Sequence, residues 1–240
     1  IEESGNMVIL AAALAKVEGN ADYAKKYWDI LTIWTNYLVE YGQDPSNQLC
    51  TDDFAGHWAH NANLSVKAIM GIAGYSEIAR MLGFNDVADE YATIAKKMAV
   101  KWEEMANEGD HYRLAFDRED TWSQKYNMIW DKMWGLNLFP NNVIDKEINY
   151  YLTKQNPYGL PLDSRKDYTK SDWIMWTAAM SSDQITFEKF VDPLYKYVNE
   201  TISRVPISDW YDTKTNQMTG FKARSVIGGH WMKVLMGKMK

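Results

Sequence analysis

The chain has 240 residues, 46% of them hydrophobic and 24% charged, a composition typical of a globular protein with a large core. Its net charge is −6 and no run of Lys and Arg exceeds two residues, which excludes the phosphate-neutralising surface of nucleic-acid-binding proteins. The single cysteine excludes an intrachain disulfide and a multi-cysteine zinc site.

The first apolar stretch, "MVILAAALA" at 7–15, follows two glutamates rather than a basic segment. It is also too short to cross a bilayer. We therefore expect a buried helix here and no membrane span.

Two kinds of helical pattern alternate along the chain. In the first kind, apolar residues recur on one face only, which indicates an outer helix. These one-sided patterns lie at 23–41, at 87–105, in a shorter piece near 143–152, and at 187–202. In the second kind, nearly every residue is apolar, which indicates an enclosed helix. These enclosed patterns lie at 4–18, 62–82, 124–137, 172–181 and 225–236.

The connections between the helices differ in length. Short turns lead from enclosed to one-sided helices at 19–22, 83–86, 139–142 and 181–184, and long links lead back at about 42–61, 106–123, 153–170 and 204–224. In an up-and-down arrangement, all long links fall at one end. The sequence therefore predicts an all-α fold, a helical-hairpin toroid of the (α/α)6 type with a functional rim.

The predicted helices are too few to form a complete ring of hairpins. The patterns account for an incomplete set of about four and a half hairpins, fewer than a closed ring of six requires. We therefore predict that residues 1–240 form a single domain and are a piece of a longer protein.

Acids, bases and aromatic residues concentrate in the long links and at the starts of the enclosed helices. Paired carboxylates across a cleft can perform general acid and base catalysis. The candidate catalytic residues are Glu3, Asp52, Asp53 and Asp172. The candidate substrate-binding residues are Asn6, His57, Trp58, Asn61, Trp122, Arg165, Trp173, Asp209, Trp210 and Arg224.

Several of these residue types also have structural explanations. Asp172 could cap the helix that begins near it, and Asp52 or Asp53 could cap a turn. Cys50 is more typical of a buried inert thiol than of a nucleophile. His57 and His60 have helical spacing but lack a third ligand at a recognisable distance, so we predict neither a metal nor another cofactor.

Five segments together resemble the glutaminase A family of fungi and bacteria, in its six-hairpin domain. They are "EESGNMVILAAALAKVEGN", "CTDDFAGHWAHNANLSVKAI", "KSDWIMWTAAM", "VPISDWYDTKT" and "GFKARSVIGGHWMKVL". The resemblance implies an (α/α) toroid of the kind shared with many glycoside hydrolases, normally preceded by a β-rich N-terminal region. It also implies hydrolysis of L-glutamine to L-glutamate and ammonia by an extracellular or periplasmic protein.

The residues that the resemblance transfers all belong to the predicted rim. They are Glu3, Asn6, Asp52, Asp53, His57, Asn61, Asp172, Asp209 and Trp210.

Three functions are compatible with these residues. The first is an amidohydrolase in which Asp53 activates water or a nucleophile, and Arg165, Arg224 or a helix N-terminus holds the substrate carboxylate. The second is a glycoside hydrolase with a carboxylate pair and tryptophans that stack on sugars. The third is a non-catalytic binding domain. The expected partners are a small polar substrate, an amino acid amide or a sugar, and the absent N-terminal part of the same protein.

Overall fold

The computed structural model describes residues 1–50 and 53–239, and the side chain of Asp53 lies outside that description. The described chain forms two compact units. Unit 1 comprises Ile1–Asn107, Ala115–Glu119 and Met239, and unit 2 comprises Glu108–Leu114 and Asp120–Lys238. That residues 1–240 act as a single domain stays a prediction.

Unit 1 consists of helical hairpins. Its elements are α1 (Glu2–Glu18), α2 (Asp22–Lys26), α3 (Trp28–Tyr41), a 3₁₀ turn (Asp53–Ala55), α4 (Ala62–Met81) and α5 (Asn85–Ala106). Nearly every residue of α4 is buried, while α5 buries a single stripe, so the predicted alternation of enclosed and one-sided helices is confirmed for this hairpin.

Two details of unit 1 differ from the sequence prediction. The one-sided pattern at 23–41 is two helices, because the backbone leaves the helical conformation at Tyr27. Helix α1 is not enclosed all round, since Met7, Leu10 and Val17 are 43%, 62% and 60% exposed. An apolar face is buried only where another element packs on it, and no element of the described residues covers this face of α1.

Unit 2 combines helices with a small sheet. Its helical elements are a 3₁₀ turn (Tyr126–Met128), α6 (Ile129–Trp134), α7 (Asn141–Leu152), α8 (Ser171–Ala179), α9 (Gln184–Glu200), a second 3₁₀ segment (Ser225–Trp231) and α10 (Met232–Lys238). Its strands are β1 (Tyr168–Lys170), β2 (Trp210–Asp212) and β3 (Met218–Gly220), which pair antiparallel in that order.

The sequence showed no strand pattern, because three-residue strands are too short to display an alternation of buried and exposed positions. The all-α class and the helical-hairpin architecture are nevertheless confirmed.

Neighbouring long links lie side by side within each unit. In unit 2, the third and fourth links pair as β1 and β2, and the amide of Gln124 donates to the carbonyl of Leu162 over 2.9 Å. In unit 1, Asn61 bridges to Ala115. The third and fourth links therefore contact each other in unit 2, and the first and second links contact each other in unit 1.

The stretch at 225–236 corrects another prediction. It is not one enclosed helix but the 3₁₀ segment followed by α10, with Trp231 67% and Val234 52% exposed. The enclosed pattern at 124–137 likewise contains only a 3₁₀ turn and the short helix α6. In the described part of the chain, none of the helices combines the length and the hydropathy that crossing a membrane requires.

Candidate functional site

Strand β1 runs directly into helix α8, and the sheet register brings the fourth link against this junction. Lys170 pairs with Trp210, and the amide of Ser171 donates to the carbonyl of Asp209 over 2.8 Å. We call the resulting cluster the α8 site. It consists of Lys170, Ser171, Asp172, Trp176, Asp209, Arg224 and His230.

Asp209 is the fixed anion of the α8 site. Its side chain is fully buried, it pairs with the Lys170 ammonium, and its Oδ2 lies 2.6 Å from Nη2 of Arg224. Burial alone would raise the pKa of Asp209, but the hydrogen bonds from Arg224 and Lys170 outweigh it and hold the pKa below its usual range. Asp209 is therefore ionised over the physiological pH range.

Asp172 has a different environment. Helix α8 begins at Ser171 with Lys170 as its N-cap residue and no side chain capping it, so the interpretation of Asp172 as a helix cap is wrong. The residue is 2% exposed, and its Oδ1 is buried without a hydrogen-bond partner among the described residues. Burial raises the pKa of Asp172 to about 6, against the opposing field of Lys170.

The surroundings thus raise the pKa of Asp172 and lower that of Asp209. Such a separation is how enzymes assign different roles to chemically identical groups. Asp172 can accept or release a proton near neutral pH, whereas Asp209 stays charged and holds the two cations. The arrangement suits general acid and base catalysis at Asp172.

The 3₁₀ segment Ser225–Trp231 contacts the start of α8. Nε2 of His230 and Oγ of Ser171 share a hydrogen bond of 2.9 Å. Burial lowers the pKa of His230 despite the opposing charge of Asp209, so the imidazole is neutral at neutral pH.

Aromatic rings surround the α8 site. Trp173 stacks on Tyr126 at a centroid distance of 4.0 Å and meets Trp176 edge-on at 4.9 Å. Trp210 packs edge-on against Tyr168 at 5.5 Å. Of the residues predicted from the sequence, the structure therefore gathers Asp172, Trp173, Asp209, Trp210 and Arg224 in this part of unit 2.

Trp122 and Arg165, also predicted to bind substrate, lie apart from the α8 site and line a cleft of unit 2 with a volume of about 300 Å³. Arg165 donates to Asp163, whose Oδ2 lies 2.6 Å from its Nη2. Trp122 is 7% exposed and packs against Tyr150 and Tyr151. The guanidinium of Arg165 is thus already neutralised by a buried acid.

The predicted residues at the start of unit 1 have mainly structural contacts. Glu3 is exposed, and the Asn6 amide donates to Oε1 of Glu2 over 3.2 Å. Glu2, rather than Glu3, is the buried acid, and it pairs with Lys67 of α4.

The first link places its predicted residues differently. Oδ1 of Asn61 accepts a hydrogen bond from the amide of Leu64 over 2.9 Å, so Asn61 is the N-cap of α4. His57 is exposed, and Trp58 lies 4.5 Å under the guanidinium of Arg118. Asp52 and the side chain of Asp53 lie outside the described residues. Among the residues that the structure does describe, no three His, Cys, Asp or Glu side chains cluster as metal ligands would.

Sequence reasoning missed four members of the α8 site as functional candidates. They are Lys170, Ser171, Trp176 and His230. The first three flank Asp172 in "KSDWIMW", where a polar start before an apolar run was the available signal. His230 lies 59 residues after Ser171, inside a stretch interpreted as an enclosed helix, and only the folded chain joins the two.

Comparison with known proteins identifies the relatives of this chain. Residues 1–234 match the model of the glutaminase A six helical-hairpin domain. The chain is 38% identical to Glutaminase A of Aspergillus oryzae (strain ATCC 42149 / RIB 40), over 98% of this chain and 35% of that protein. It is 33% identical to a protein of Arthroderma benhamiae (strain ATCC MYA-4681 / CBS 112371) named probable glutaminase, over 90% of this chain and 29% of that protein.

The chain thus spans about a third of the length of the curated relatives it matches. The helical hairpins, the match over nearly the whole chain and the identity to these relatives agree with one another. The chain belongs to the glutaminase A family and contains sequence of its six-hairpin domain.

Proposed function

We propose that the α8 site hydrolyses the side-chain amide of L-glutamine, or of a related amino acid amide, and releases ammonia. The observation that carries this proposal is the pair of buried carboxyl groups with separated pKa values. The pKa of Asp172 is raised to about 6 and that of Asp209 is lowered. The names of the two relatives support the choice of an amide over other hydrolysable bonds.

In the proposed reaction, ionised Asp172 takes a proton from a water molecule. At the same time, the oxygen of that water attacks the carbonyl carbon of the substrate amide. The carbonyl becomes a tetrahedral oxyanion. When this intermediate collapses, the C–N bond breaks and protonated Asp172 returns the proton to the leaving nitrogen. The products are a carboxylic acid and ammonia, and the proton count of Asp172 is restored.

Two cations lie beside Asp172, and one of them can bind a substrate carboxylate. Lys170 and Arg224 contribute two positive charges and Asp209 one negative charge, so the net charge of these three groups is +1. The Arg224 side chain is 35% exposed, whereas those of Lys170 and Asp209 are 5% and 0% exposed. Arg224 is therefore the member of this trio that we propose contacts the substrate carboxylate.

The test is ammonia release from L-glutamine by the full-length protein that contains this chain. Asp172→Asn should reduce kcat/KM by about 100- to 10,000-fold, the usual contribution of a general acid and base. Asp192→Asn, which changes an exposed aspartate of α9, is the matched control and should leave the rate unchanged. An Asp172→Asn enzyme as active as the wild type would remove Asp172 from the mechanism.

The same assay tests the sequence-based hypothesis for Asp53. If Asp53→Asn abolishes ammonia release while Asp172→Asn does not, Asp53 rather than Asp172 activates the nucleophile. Loss of activity in both variants would assign a role to each carboxyl group.

The glycoside hydrolase alternative has weaker support. It requires a second carboxylate to act as base or nucleophile, but Asp209 is occupied by Lys170 and Arg224. Release of nitrophenol from aryl glycosides, without ammonia from glutamine or asparagine, would favour that alternative. A ligand that raises the melting temperature without being converted would favour a binding domain.

A further inference from the structure

We propose that the 3₁₀ segment Ser225–Trp231, here called the strap, is a movable cover that closes over Asp172, with His230 as the positioning residue that latches it. The proposal rests on the proposed function for the reaction beneath the strap. The cover itself is inferred from contacts that do not depend on that function.

The strap has the features of a weakly held element. It forms a seven-residue 3₁₀ helix, longer than is usual for this conformation, whose hydrogen bonds have poorer geometry than those of an α-helix. None of its residues is fully buried, although it packs on α8. Two consecutive glycines, Gly228 and Gly229, give its centre high conformational freedom. The lack of fully buried residues and the two adjacent glycines are features of segments that open locally.

Gly229 lies directly on Asp172. A Cβ added to Gly229 would lie 2.9 Å from Cβ of Asp172 and 2.9 Å from Nε1 of Trp176. Real Cβ atoms essentially never approach so closely, so any side chain at this position would push the strap away from α8. At Gly228, by contrast, an added Cβ would meet no atom within 4 Å.

The latch is the hydrogen bond between His230 and Ser171. Ser171 is the first residue of α8 and is fully buried, and its Oγ lies 2.9 Å from Nε2 of His230. This bond joins the strap to the residue beside Asp172. Without the hydrogen bond between His230 and Ser171, only the packing of Gly229 would hold this part of the strap against α8.

The closed strap leaves two polar atoms unsatisfied beneath it. Oδ1 of Asp172 and Nε1 of Trp176 are both buried without a hydrogen-bond partner among the described residues. Covering polar atoms without a partner is unfavourable, so the closed state gains stability when a ligand supplies a donor to Asp172 and an acceptor to Trp176. Opening admits the ligand and water, and closure around the ligand satisfies both atoms.

Displacing the strap should change the pKa of Asp172 mainly because water then reaches its carboxyl group. The charged groups that act on Asp172 are Lys170, Asp209 and Arg224, and His230 is the titratable residue of the strap itself. Lys170 and Asp209 lie outside the strap and pair with each other, and Arg224, which immediately precedes the strap, is held by Asp209. The pKa of Asp172 should then fall from about 6 toward its ordinary value of 3.8.

The experiment compares Gly229→Ala with Gly228→Ala, and His230→Ala with His230→Gln, in the full-length protein. The direct readout is the pH titration of tryptophan fluorescence, since Trp176 adjoins Asp172, with Asp172→Asn identifying the part of the curve that belongs to Asp172. Near-ultraviolet circular dichroism of each variant confirms that it is folded.

We expect Gly229→Ala and His230→Ala to lower this titration midpoint by about one unit or more, a shift typical of hydrating a buried carboxyl group. Gly228→Ala should leave it unchanged, and His230→Gln, which can still hydrogen bond Ser171, should restore most of the wild-type value. A wild-type midpoint in both folded Gly229→Ala and folded His230→Ala would overturn the proposal, as would an equal shift in Gly228→Ala.

The pH dependence of kcat/KM for L-glutamine is the second readout, and its acid limb should shift in parallel with the fluorescence. Absence of ammonia release by the wild type would defeat the proposed function alone, because the fluorescence titration still decides whether the strap covers Asp172.

Discussion

Asp172 and Asp209 show how one side-chain type acquires two behaviours in a single site. Asp209 is buried together with two cations, and their hydrogen bonds outweigh the loss of hydration. Asp172 is buried beside the same cations, yet its Oδ1 receives no hydrogen bond from the described residues, so desolvation dominates. Both residues are almost completely inaccessible to solvent, and they differ in how their carboxylate oxygens are paired.

This environment predicts a distinctive dependence of stability on pH. The folded-state pKa of Asp172, about 6, lies above the ordinary value of 3.8, so the native state binds this proton more tightly than the unfolded state. The contribution of Asp172 to the free energy of unfolding is therefore full below pH 4 and is lost as the pH rises to 6. At 1.36 kcal/mol per pKa unit, the loss is about 3 kcal/mol.

Urea unfolding of the wild type and of Asp172→Asn between pH 4 and pH 7.5 checks this prediction. The stability of the wild type relative to the variant should fall as the pH rises through this range, because asparagine does not titrate. Parallel stability curves for the two proteins would contradict the raised pKa.

At the scale of elements, helix α7 holds the second long link, residues 106–123, in place through buried polar contacts. Glu147 accepts from the amide of Tyr112 over 2.7 Å, and Oη of Tyr151 donates to the carbonyl of Ser123 over 2.8 Å. Nζ of Lys125 donates to the Tyr112 carbonyl over 3.0 Å. A link without regular structure thus keeps its position because its backbone groups are satisfied by side chains of α7 and by Lys125.

We predict that Tyr151→Phe destabilises the protein by about 1–3 kcal/mol, the usual effect of leaving buried polar groups unpaired. The substitution removes the hydroxyl that donates to the Ser123 carbonyl and accepts from the Lys125 amide. Tyr150→Phe is the control, since Tyr150 contacts its neighbours through its ring, which stacks on His111. Denaturant midpoints measure both, and equal midpoints would show that the network does not stabilise the link.

At the scale of the whole molecule, the apolar surface of unit 1 has consequences for solubility. A groove of about 430 Å³ runs along α1, α2 and α3 and is lined almost entirely by apolar side chains. Leu10 in its lining is 62% exposed, and Tyr23 and Tyr27 are each 49% exposed. Exposed apolar surface of this kind favours association with another apolar surface.

We therefore predict that the 240-residue chain, produced alone, binds a hydrophobic fluorescent dye and self-associates. Leu10→Glu should reduce both effects, because it places a charge in the groove. Val100→Glu, at an exposed apolar position of α5 outside the groove, should change neither. A monodisperse, cooperatively melting chain that ignores the dye would contradict this prediction.

Much of the architecture followed from local patterns. The all-round apolar run at 62–82 and the one-sided run at 87–105 became α4 and α5 within a few residues of the predicted bounds. The exposed face of α1 and the strap were not predicted, because an apolar run reports the tendency to be buried but not whether another element covers it.

The sequence by itself determined the helical-hairpin class, the family, and the concentration of acids and aromatic residues in the long links and at the starts of the enclosed helices. These features follow from periodicity and motifs that need only local sequence. The tertiary structure alone decided that Asp209 is neutralised by Lys170 and Arg224, that Asp172 is buried without a partner for Oδ1, and that His230 reaches Ser171. The physical reason is that ion pairing, desolvation and hydrogen bonding depend on distances through space, and sequence spacing does not encode distances between segments this far apart.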